Sequence, residues 1–343
     1  MLLPRRRLRL LLQSKNAHPS AWPVAGLLAL LLFSPVSRAD AEAMRWLERM
    51  NQTLNQRNYE LALVVIDGLR TEPVQLTHGL LADGPATRVN YLNGPPRQVV
   101  RFADRISYFD ADGGAYSVRG ERLAGPVPAA FWGDLRELAR NYQFQLAGRN
   151  RTAGRNVQLV RVVPRDELRY GGLLWLDEEN ALLLRLDLIN SQGQLVEQVQ
   201  VVSASFSEQP AASLAALSID KLPALALAPV NVSTELRWRL GWLPAGFELR
   251  RHDRHHLAVV EESVDYYLLS DGLTELSVYI QSEPQPREAQ QAASLGATTI
   301  VTRWQRGLEV AAVGRLPAET LARVADGVFT RVDGQMPEQK EAP

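Results

Sequence analysis

Three histidines within five residues are the side chains of this sequence best suited to metal binding. His252, His255 and His256 stand in the stretch HDRHH. A transition-metal site needs about four ligands, and neither a cysteine nor an acidic cluster lies near enough in the sequence to complete that shell. We therefore interpret the stretch as a polar loop, and we expect no metal site and no cofactor.

The motifs of the common enzyme classes are missing as well. The chain contains no cysteine, which excludes cysteine catalysis, and it has no nucleophile elbow, phosphate-cradling loop or dinucleotide fingerprint. His78 stands in a strand pattern with alternating neighbours, which favours a structural or partner-facing histidine over a general base. A hydrolase would need a polar triad that these residues do not supply. The sequence predicts a binding protein, not an enzyme.

Aromatic and arginine side chains are the candidates for protein recognition, because Trp, Tyr and Arg dominate the binding energy of protein interfaces. Most of the aromatic residues are expected in the core, and those left exposed would be the anchors. The predicted partner-binding residues lie on or beside strands of the C-terminal part: Trp242, Tyr267, Ser270, Asp271, Gly272, Tyr279, Arg303 and Arg306.

The elements that organise the first part of the chain are three consecutive antiparallel strands predicted over residues 169–206, where apolar runs alternate with two turn signals. In the middle strand the two-residue period places one row of leucines on a single face, at Leu182, Leu184, Leu186 and Leu188, with Leu183 on the other face. Helices, a second sheet or a lipid-like ligand must cover such a face. The residues predicted to line an apolar cleft for lipid are Leu63, Val65, Leu174, Leu182, Leu184 and Leu186.

The first 39 residues have the features of a secretory signal peptide. They carry six basic residues and no acidic one, followed by an apolar run at 21–33 and a small-x-small end at 37–39, so cleavage is expected after Ala39. The apolar run is shorter than the roughly 20 residues of a membrane-spanning helix. Removing the segment leaves 32 basic and 38 acidic residues, a net charge of −6, which argues against nucleic acid as a partner.

Helix spacing predicts an amphipathic opening helix over residues 41–58, capped by Asp40, a second helix over 126–142 and a third over 317–329. Short strand patterns fill most of the remainder.

A stretch rich in proline and alanine separates two such regions and contains a short helix at 212–217. The predicted organisation is a signal peptide at 1–39, an N-terminal domain at 40–209, a linker at 210–232, a C-terminal domain at 233–333 and a tail at 334–343.

Several segments together resemble the MucB/RseB family of periplasmic regulators. They are the three-strand unit RYGGLLWLDEENALLLRLDLINSQGQLVEQ, the earlier YLNGPPRQVVRFADRISYF, and WLPAGF, YLLSDGLTELSVYI and VGRLPAET in the C-terminal part. The similarity runs from Trp46 to Phe329. It implies an α+β chain: an N-terminal incomplete antiparallel β-barrel with packed helices, similar to the lipoprotein carriers LolA and LolB, and a smaller C-terminal antiparallel sheet and helix.

The resemblance also implies a function. Such a protein would be a periplasmic negative regulator of the sigma-E-type envelope stress response. It would bind the periplasmic part of an RseA/MucA-like anti-sigma factor and protect it from proteolysis, while lipid or lipopolysaccharide in the N-terminal domain loosens that hold. The alternative is a periplasmic lipid or lipoprotein carrier, which the second domain disfavours because a carrier of the LolA kind lacks one. Homo-oligomers remain an open possibility.

Overall fold

The structure is a computed structural model that describes residues 35–111, 114–120, 123, 125–225, 236–256, 263–282 and 290–330. Most of the predicted signal peptide, the last part of the predicted linker at 226–232 and the predicted tail at 334–343 lie outside the described residues. Among the residues described, no helix is both long enough and apolar enough to cross a membrane.

The first large element is an antiparallel sheet of eleven strands. Its strands alternate apolar and polar residues, the pattern of a sheet with one face in a core. They are β1 (Asn58–Asp67), β2 (Arg70–Leu81), β3 (Gly84–Tyr91), β4 (Arg97–Phe102), β5 (Arg105–Asp110), β6 (Gly114–Arg119), β7 (Tyr142–Thr152), β8 (Arg155–Pro164), β9 (Gly171–Asp177), β10 (Leu183–Ile189) and β11 (Leu195–Ser207). The spatial order is β6-β5-β4-β3-β2-β1-β11-β10-β9-β8-β7, so β6 and β7 form the two edges of an open sheet. The expected incomplete barrel is confirmed.

The opening helix α1 (Pro35–Gln56) covers the apolar face of this sheet. Its buried residues recur at helical spacing, at Ala43, Leu47, Met50 and Leu54, and belong to the same core as the strand leucines. The predicted N-cap at Asp40 is wrong, because the helix begins five residues earlier and Asp40 lies in its interior. The Asp40 carboxylate instead accepts a hydrogen bond of 3.1 Å from Gln143 Nε2.

The helix predicted over residues 126–142 is broken into two short pieces, a 3₁₀ helix at Ala129–Trp132 and α2 (Leu135–Leu138). Gly133 has an extended backbone, which ends the first piece. Asp134 then caps the second by accepting a hydrogen bond of 2.9 Å from the Arg136 amide. Tyr142, which was assigned to the helix, begins β7. The regular spacing of apolar residues therefore predicted a helix that is too long, because this spacing gives no sign of the extended backbone at Gly133.

The six residues predicted to line a lipid cleft are packed under the chain's own helix. Leu63, Leu174, Leu182, Leu184 and Leu186 are buried in the core that contains α1, and half-buried Val65 packs against that core. The prediction that Leu183 lies on the opposite face is wrong. The pairing of β10 with β9 shifts register between residues 183 and 185, and this irregularity lets Leu183 join the same core. Of the covers that the sequence allowed, a helix packs on this face, and binding of lipid by the six residues stays a prediction.

The described part of residues 210–232, predicted as a linker, packs on the N-terminal sheet. The helix α3 (Ala212–Ala215) is present, and Leu214 and Leu222 form a second small core with Ala86, Val100 and Phe102. Further along, the Ser117 amide of edge strand β6 donates a hydrogen bond of 2.9 Å to the Ala224 carbonyl. Apolar residues inside the proline-rich stretch thus fix it to the sheet.

The second large element is a six-stranded antiparallel sheet with one helix packed on it, as predicted. The strands of this sheet are β13 (Glu248–His256), β14 (Ser263–Ser270), β15 (Glu275–Ser282), β16 (Gln290–Leu295), β17 (Thr298–Gln305) and β18 (Leu308–Gly314), and its helix is α4 (Ala318–Asp326). Two further strands, β12 (Trp238–Leu240) and β19 (Val328–Thr330), form a separate pair. The spatial order is β13-β14-β15-β18-β17-β16. The HDRHH stretch is part of strand β13 and not a loop, and the His252 ring packs 4.6 Å from the Tyr267 ring.

Replacing Leu184 by Asp tests the packing of α1 on the sheet. A carboxylate at this fully buried position would lose the leucine's contacts and stay without a charged partner, at a cost of several kcal/mol, comparable with the whole stability of a domain. We expect the Leu184→Asp protein to lose its cooperative thermal transition in circular dichroism. Leu195→Asp is the matched control, since Leu195 lies exposed on β11. A Leu184→Asp protein that melts like the control would contradict the packing.

A second prediction concerns the buried His78. Burial, aided by the positive charge of Arg101, lowers the pKa of His78 to about 4. The unfolded chain, with a histidine pKa near 6.5, therefore takes up the proton first as the pH falls. Stability should decrease between about pH 6.5 and pH 4, by up to about 1.4 kcal/mol per pH unit from this residue. Urea unfolding at several pH values should show the decrease in the wild type and a smaller one in His78→Gln. Equal decreases in both proteins would rule out His78 as the source.

Candidate functional site

The turn between β14 and β15, which includes Ser270, Asp271 and Gly272, faces the N-terminal sheet. Arg169 Nη1 donates a 2.5 Å hydrogen bond to Asp271 Oδ2, and both side chains are fully buried. The Tyr142 hydroxyl donates to the same carboxylate oxygen at 2.7 Å. Arg169 Nη2 also donates to Asp166 Oδ2 and to the Ala245 carbonyl, each at 2.8 Å. We call this group, Tyr142, Asp166, Arg169, Ala245 and Asp271, the Arg169 joint.

The local sequence explains why the turn reaches this position. Asp271 Oδ1 accepts hydrogen bonds from the amides of Leu273 and Thr274, which leaves Oδ2 for Arg169. Gly272 has a φ of +98°, a conformation that favours glycine, and a Cβ there would lie 3.2 Å from Leu138. Ser270 and Asp271 are buried. This turn is used for contacts within the chain, and the role of Ser270, Asp271 and Gly272 in partner binding stays a prediction.

The electrostatics of the joint keep its arginine charged. Burial lowers the pKa of the Arg169 guanidinium, but the hydrogen bonds that it donates to Asp166 and the negative charge of Asp271 outweigh burial, so this pKa lies above its ordinary value. Burial, and next the Asp271 charge, raise the pKa of Tyr142 well above its usual range. The phenol therefore stays protonated and remains a hydrogen-bond donor to Asp271.

Two further contacts hold the same end of the C-terminal sheet. The Ala297 amide donates a hydrogen bond of 2.7 Å to Asp67 Oδ1, and a Cβ on Gly296 would overlap the Asp67 side chain. Arg315 Nη2 lies 3.0 Å from Glu197 Oε2. With the Arg169 joint, these contacts attach three separate turns of the C-terminal sheet to the N-terminal sheet.

The other five predicted partner-binding residues are not brought together in one place. Tyr267 is buried in the C-terminal core, with its hydroxyl 3.2 Å from the Trp238 amide, and its role in partner binding stays a prediction. Trp242 is half-buried beneath the Arg323 guanidinium, which lies 3.9 Å from its ring centre. Arg303 Nε donates a hydrogen bond of 3.0 Å to Asp326 Oδ1. Arg306 is exposed in the turn between β17 and β18.

Tyr279 is different, because it belongs to a set of tyrosines shared by the two sheets. Its ring lies 5.0 Å from that of Tyr266 on β14. On the N-terminal sheet, Tyr108 and Tyr116 are cross-strand partners of β5 and β6 whose rings stack at 5.1 Å. The guanidinium of Arg97 lies 3.7 Å over the ring of the nearby Tyr91. Each of these rings is held by an aromatic or cationic neighbour, which limits its rotamer freedom before any partner arrives.

The charges around these tyrosines connect the two sheets. Burial is the main reason that the pKa of Tyr108 is raised, and Glu275 of β15 adds to the increase while Arg251 of β13 reduces it. The same two charges act on Tyr266, whose pKa is also raised mainly by burial. Tyr108 and Tyr266, one from each sheet, therefore lie within electrostatic reach of Arg251 and Glu275. We call the five rings the tyrosine surface: Tyr91, Tyr108, Tyr116, Tyr266 and Tyr279.

The sequence analysis missed Tyr91, Tyr108, Tyr116 and Tyr266 as candidate site residues. A signal for two of them was available, because the pairing of β5 with β6 makes 108 and 116 direct cross-strand partners. The proximity of the C-terminal sheet had no such local signal.

Removing the guanidinium of the joint should be costly. In Arg169→Ala the carboxylates of Asp271 and Asp166 stay behind without their cation, and breaking a buried pair in this way costs about 3 to 5 kcal/mol. We expect a large drop in the urea midpoint, or a split of one transition into two as the sheets unfold separately. Arg303→Ala is the control, because its partner Asp326 is largely exposed and such pairs contribute about 1 kcal/mol or less. Equal midpoints for the two variants would contradict the role given to the joint.

Comparison with known proteins identifies the family to which the chain belongs. The sequence model of the MucB/RseB N-terminal domain matches residues 42–226, and that of the MucB/RseB C-terminal domain matches residues 232–329. The sigma-E factor regulatory protein RseB of Salmonella typhimurium is 31% identical over 304 residues, which cover 88% of this chain and 95% of the relative. The sigma factor AlgU regulatory protein MucB of Pseudomonas aeruginosa is 30% identical, covering 87% and 94%.

Solved structures agree with this placement. MucB in the complex of Pseudomonas aeruginosa MucA and MucB superposes with a TM-score of 0.68 at 27% identity, covering 84% of this chain and 99% of the other. A crystal structure of MucB superposes with a TM-score of 0.60 at 26% identity, covering 85% of this chain and 98% of the other. The two MucB/RseB domain models together span both sheets, and the two relatives named above align with this chain along nearly their full length. The chain belongs to the MucB/RseB family.

Proposed function

We propose that this chain is a periplasmic regulator of a sigma-E-type envelope stress response, exported by the predicted signal peptide. It binds the periplasmic segment of an anti-sigma factor similar to MucA or RseA and protects that segment from proteolysis. The observation that carries the proposal is that MucB, which is similar to this chain over both sheets, has been solved in complex with the periplasmic part of MucA. The curated relatives are themselves sigma factor regulatory proteins.

Within this proposal the tyrosine surface is the docking site. Tyrosine gives a large contact area at low entropic cost and keeps a hydroxyl for hydrogen bonding. A flexible peptide loses conformational entropy when it docks, so it needs rigid anchors that become well desolvated. The five rings meet that need because they are already stacked or capped, and Tyr116 is 40% exposed.

The charges beside the rings add selectivity. Arg251 and Glu275 lie within electrostatic reach of Tyr108 and Tyr266, and Arg97 lies over Tyr91. A segment that places an acidic group near Arg251 and a basic one near Glu275 would be favoured over one with the charges reversed. The partner that fits best is a peptide with aromatic or aliphatic anchors and charges of both signs.

Lipid binding is a separate part of the proposal, and it requires α1 to move. Acyl chains could reach Leu63, Leu182 or Leu184 only by replacing helix residues such as Leu47 and Met50, which now cover them. Each buried apolar side chain contributes about 1.5 to 3 kcal/mol, so lipid would have to match several of them at once. This cost also disfavours the lipid-carrier alternative, in which the apolar face would have to open readily.

The binding prediction uses Tyr108→Ala and Tyr279→Ala, one variant on each sheet. If both rings are anchors, each change should cost about 2 kcal/mol, a weakening of more than tenfold in affinity for the anti-sigma periplasmic segment. Isothermal titration calorimetry measures this, and Tyr108→Phe and Tyr279→Phe serve as controls that keep the rings. Melting temperatures identify any variant that acts through stability. Wild-type affinity in both alanine variants would refute the tyrosine surface as the docking site.

A further inference from the structure

The two large sheets have four edge strands, and one of them lacks the features that protect the other three from pairing with another chain. An edge strand exposes unpaired backbone groups that can pair with another chain, and proteins usually prevent this with charges, bulges or a covering segment. Edge strand β7 has a register irregularity before Arg149 and carries arginines. Edge strand β13 is rich in charged residues and histidines and also has a register shift. Edge strand β6 is covered, since Ser117 is bridged to Leu225.

Among the residues that the structure describes, strand β16, Gln290–Leu295, has none of these devices. Its sequence QQAASL contains no charge, proline or glycine, and its six residues pair with β17 in one unbroken register. All six side chains are exposed. Leu295 and Ile300, which lie on one face of the β16–β17 hairpin, are 48% and 44% exposed. No described segment covers the strand, so within that part of the chain its edge is open for pairing, with apolar side chains beside it.

The open edge is continuous with the tyrosine surface. The strand registers align one row of residues across the outer face of the C-terminal sheet, at Tyr266, Tyr279, Ala311, Thr302 and Gln291. Four strand spacings separate the two ends of this row, about 19 Å at roughly 4.8 Å each. An extended chain covers that distance in about six residues. One flexible segment can thus contact the tyrosines and still reach β16.

We propose that an extended stretch of the anti-sigma partner pairs with β16 as an additional strand, next to the stretch that docks on the tyrosine surface. This inference rests on the proposed function. The main-chain hydrogen bonds would supply affinity, and an apolar side chain at every second position would cover Leu295 and Ile300. The proposal therefore specifies the chemistry of the stretch: uncharged, free of proline and apolar at alternate residues.

A second copy of this chain is a weaker fit for the same edge. Six residues with small side chains bury far less than the roughly 1,000 Å² that a specific interface needs. A peptide that is already held at the tyrosine surface does not need so large a contact area at β16. Tethering gives its next residues a high effective concentration there.

Two neighbouring proline substitutions test the inference. Successive amides of a strand point in opposite directions, so of Ala292 and Ala293 one donates to β17 and the other points to the open edge. Proline at the inward position breaks the ladder and should lower the melting temperature, whereas proline at the outward position is tolerated. We expect the outward variant to keep the wild-type melting temperature and to lose at least tenfold in affinity for the anti-sigma periplasmic segment. Hydrogen exchange on the wild type should show β16 amides protected when the segment binds.

The outcomes separate the two proposals. Full affinity in the outward proline variant, together with unprotected β16 amides, overturns the strand pairing even if Tyr279→Ala still weakens binding, and the proposed function then stands. A wild-type protein that does not bind the segment at all removes the proposed function and this inference with it. If the outward proline abolishes a dimer seen by light scattering and leaves segment affinity unchanged, the edge serves self-association and the inference is wrong.

Discussion

The arrangement of the two sheets depends on a buried ion pair. Arg169 and Asp271 are both fully removed from solvent, and burying two charges usually costs more than their attraction returns. Here the remaining hydrogen-bonding capacity is used by Asp166, Tyr142 and the Ala245 carbonyl. A pair satisfied in this way contributes little net stability compared with apolar packing, but it permits one relative placement of the sheets, since any other leaves charges unpaired.

That single placement is what creates a surface from two separate sets of tyrosines. Tyr108 and Tyr116 are fixed to the N-terminal sheet by their strand register, and Tyr266 and Tyr279 are fixed to the C-terminal sheet in the same way. The strand register within one sheet does not determine where the tyrosines of the other sheet lie. The turns at residues 271, 296 and 315, each bonded to the N-terminal sheet, bring Arg251 and Glu275 close enough to influence Tyr108. The surface proposed for the partner thus depends on the Arg169 joint.

Local patterns predicted the elements well where one period ran without interruption. The apolar spacing of Leu47, Met50 and Leu54 predicted the opening helix, and the alternating leucines near residue 184 predicted a strand with one buried face. The same reasoning failed at Leu183, where a register irregularity changes the face, and at residues 126–142, where Gly133 interrupts the helix. Periodicity assumes an unbroken element, so it cannot locate such interruptions.

The candidate site was predicted less well, for a physical reason. A sequence shows that Asp271, Tyr267 and Tyr279 are suited to recognition, but whether each is accessible depends on tertiary contacts that lie far away in the chain. Asp271 pairs with Arg169, 102 residues earlier, and Tyr267 is buried in the C-terminal core. Of these three residues, only Tyr279 is half-buried and not buried, and its ring lies against that of Tyr266. Contacts of this range leave no local periodic signal.

The central claim is that tyrosines of both sheets bind one partner segment together. Because the chain has no cysteine, Tyr116→Cys and Gln281→Cys can each carry a single photo-crosslinker, one on each sheet. The measurement is mass spectrometric mapping of the crosslinks formed with the anti-sigma periplasmic segment. The account predicts that both positions crosslink to the segment, at neighbouring stretches of its sequence. Crosslinks from only one of the two positions, under conditions where binding is saturated, would contradict it.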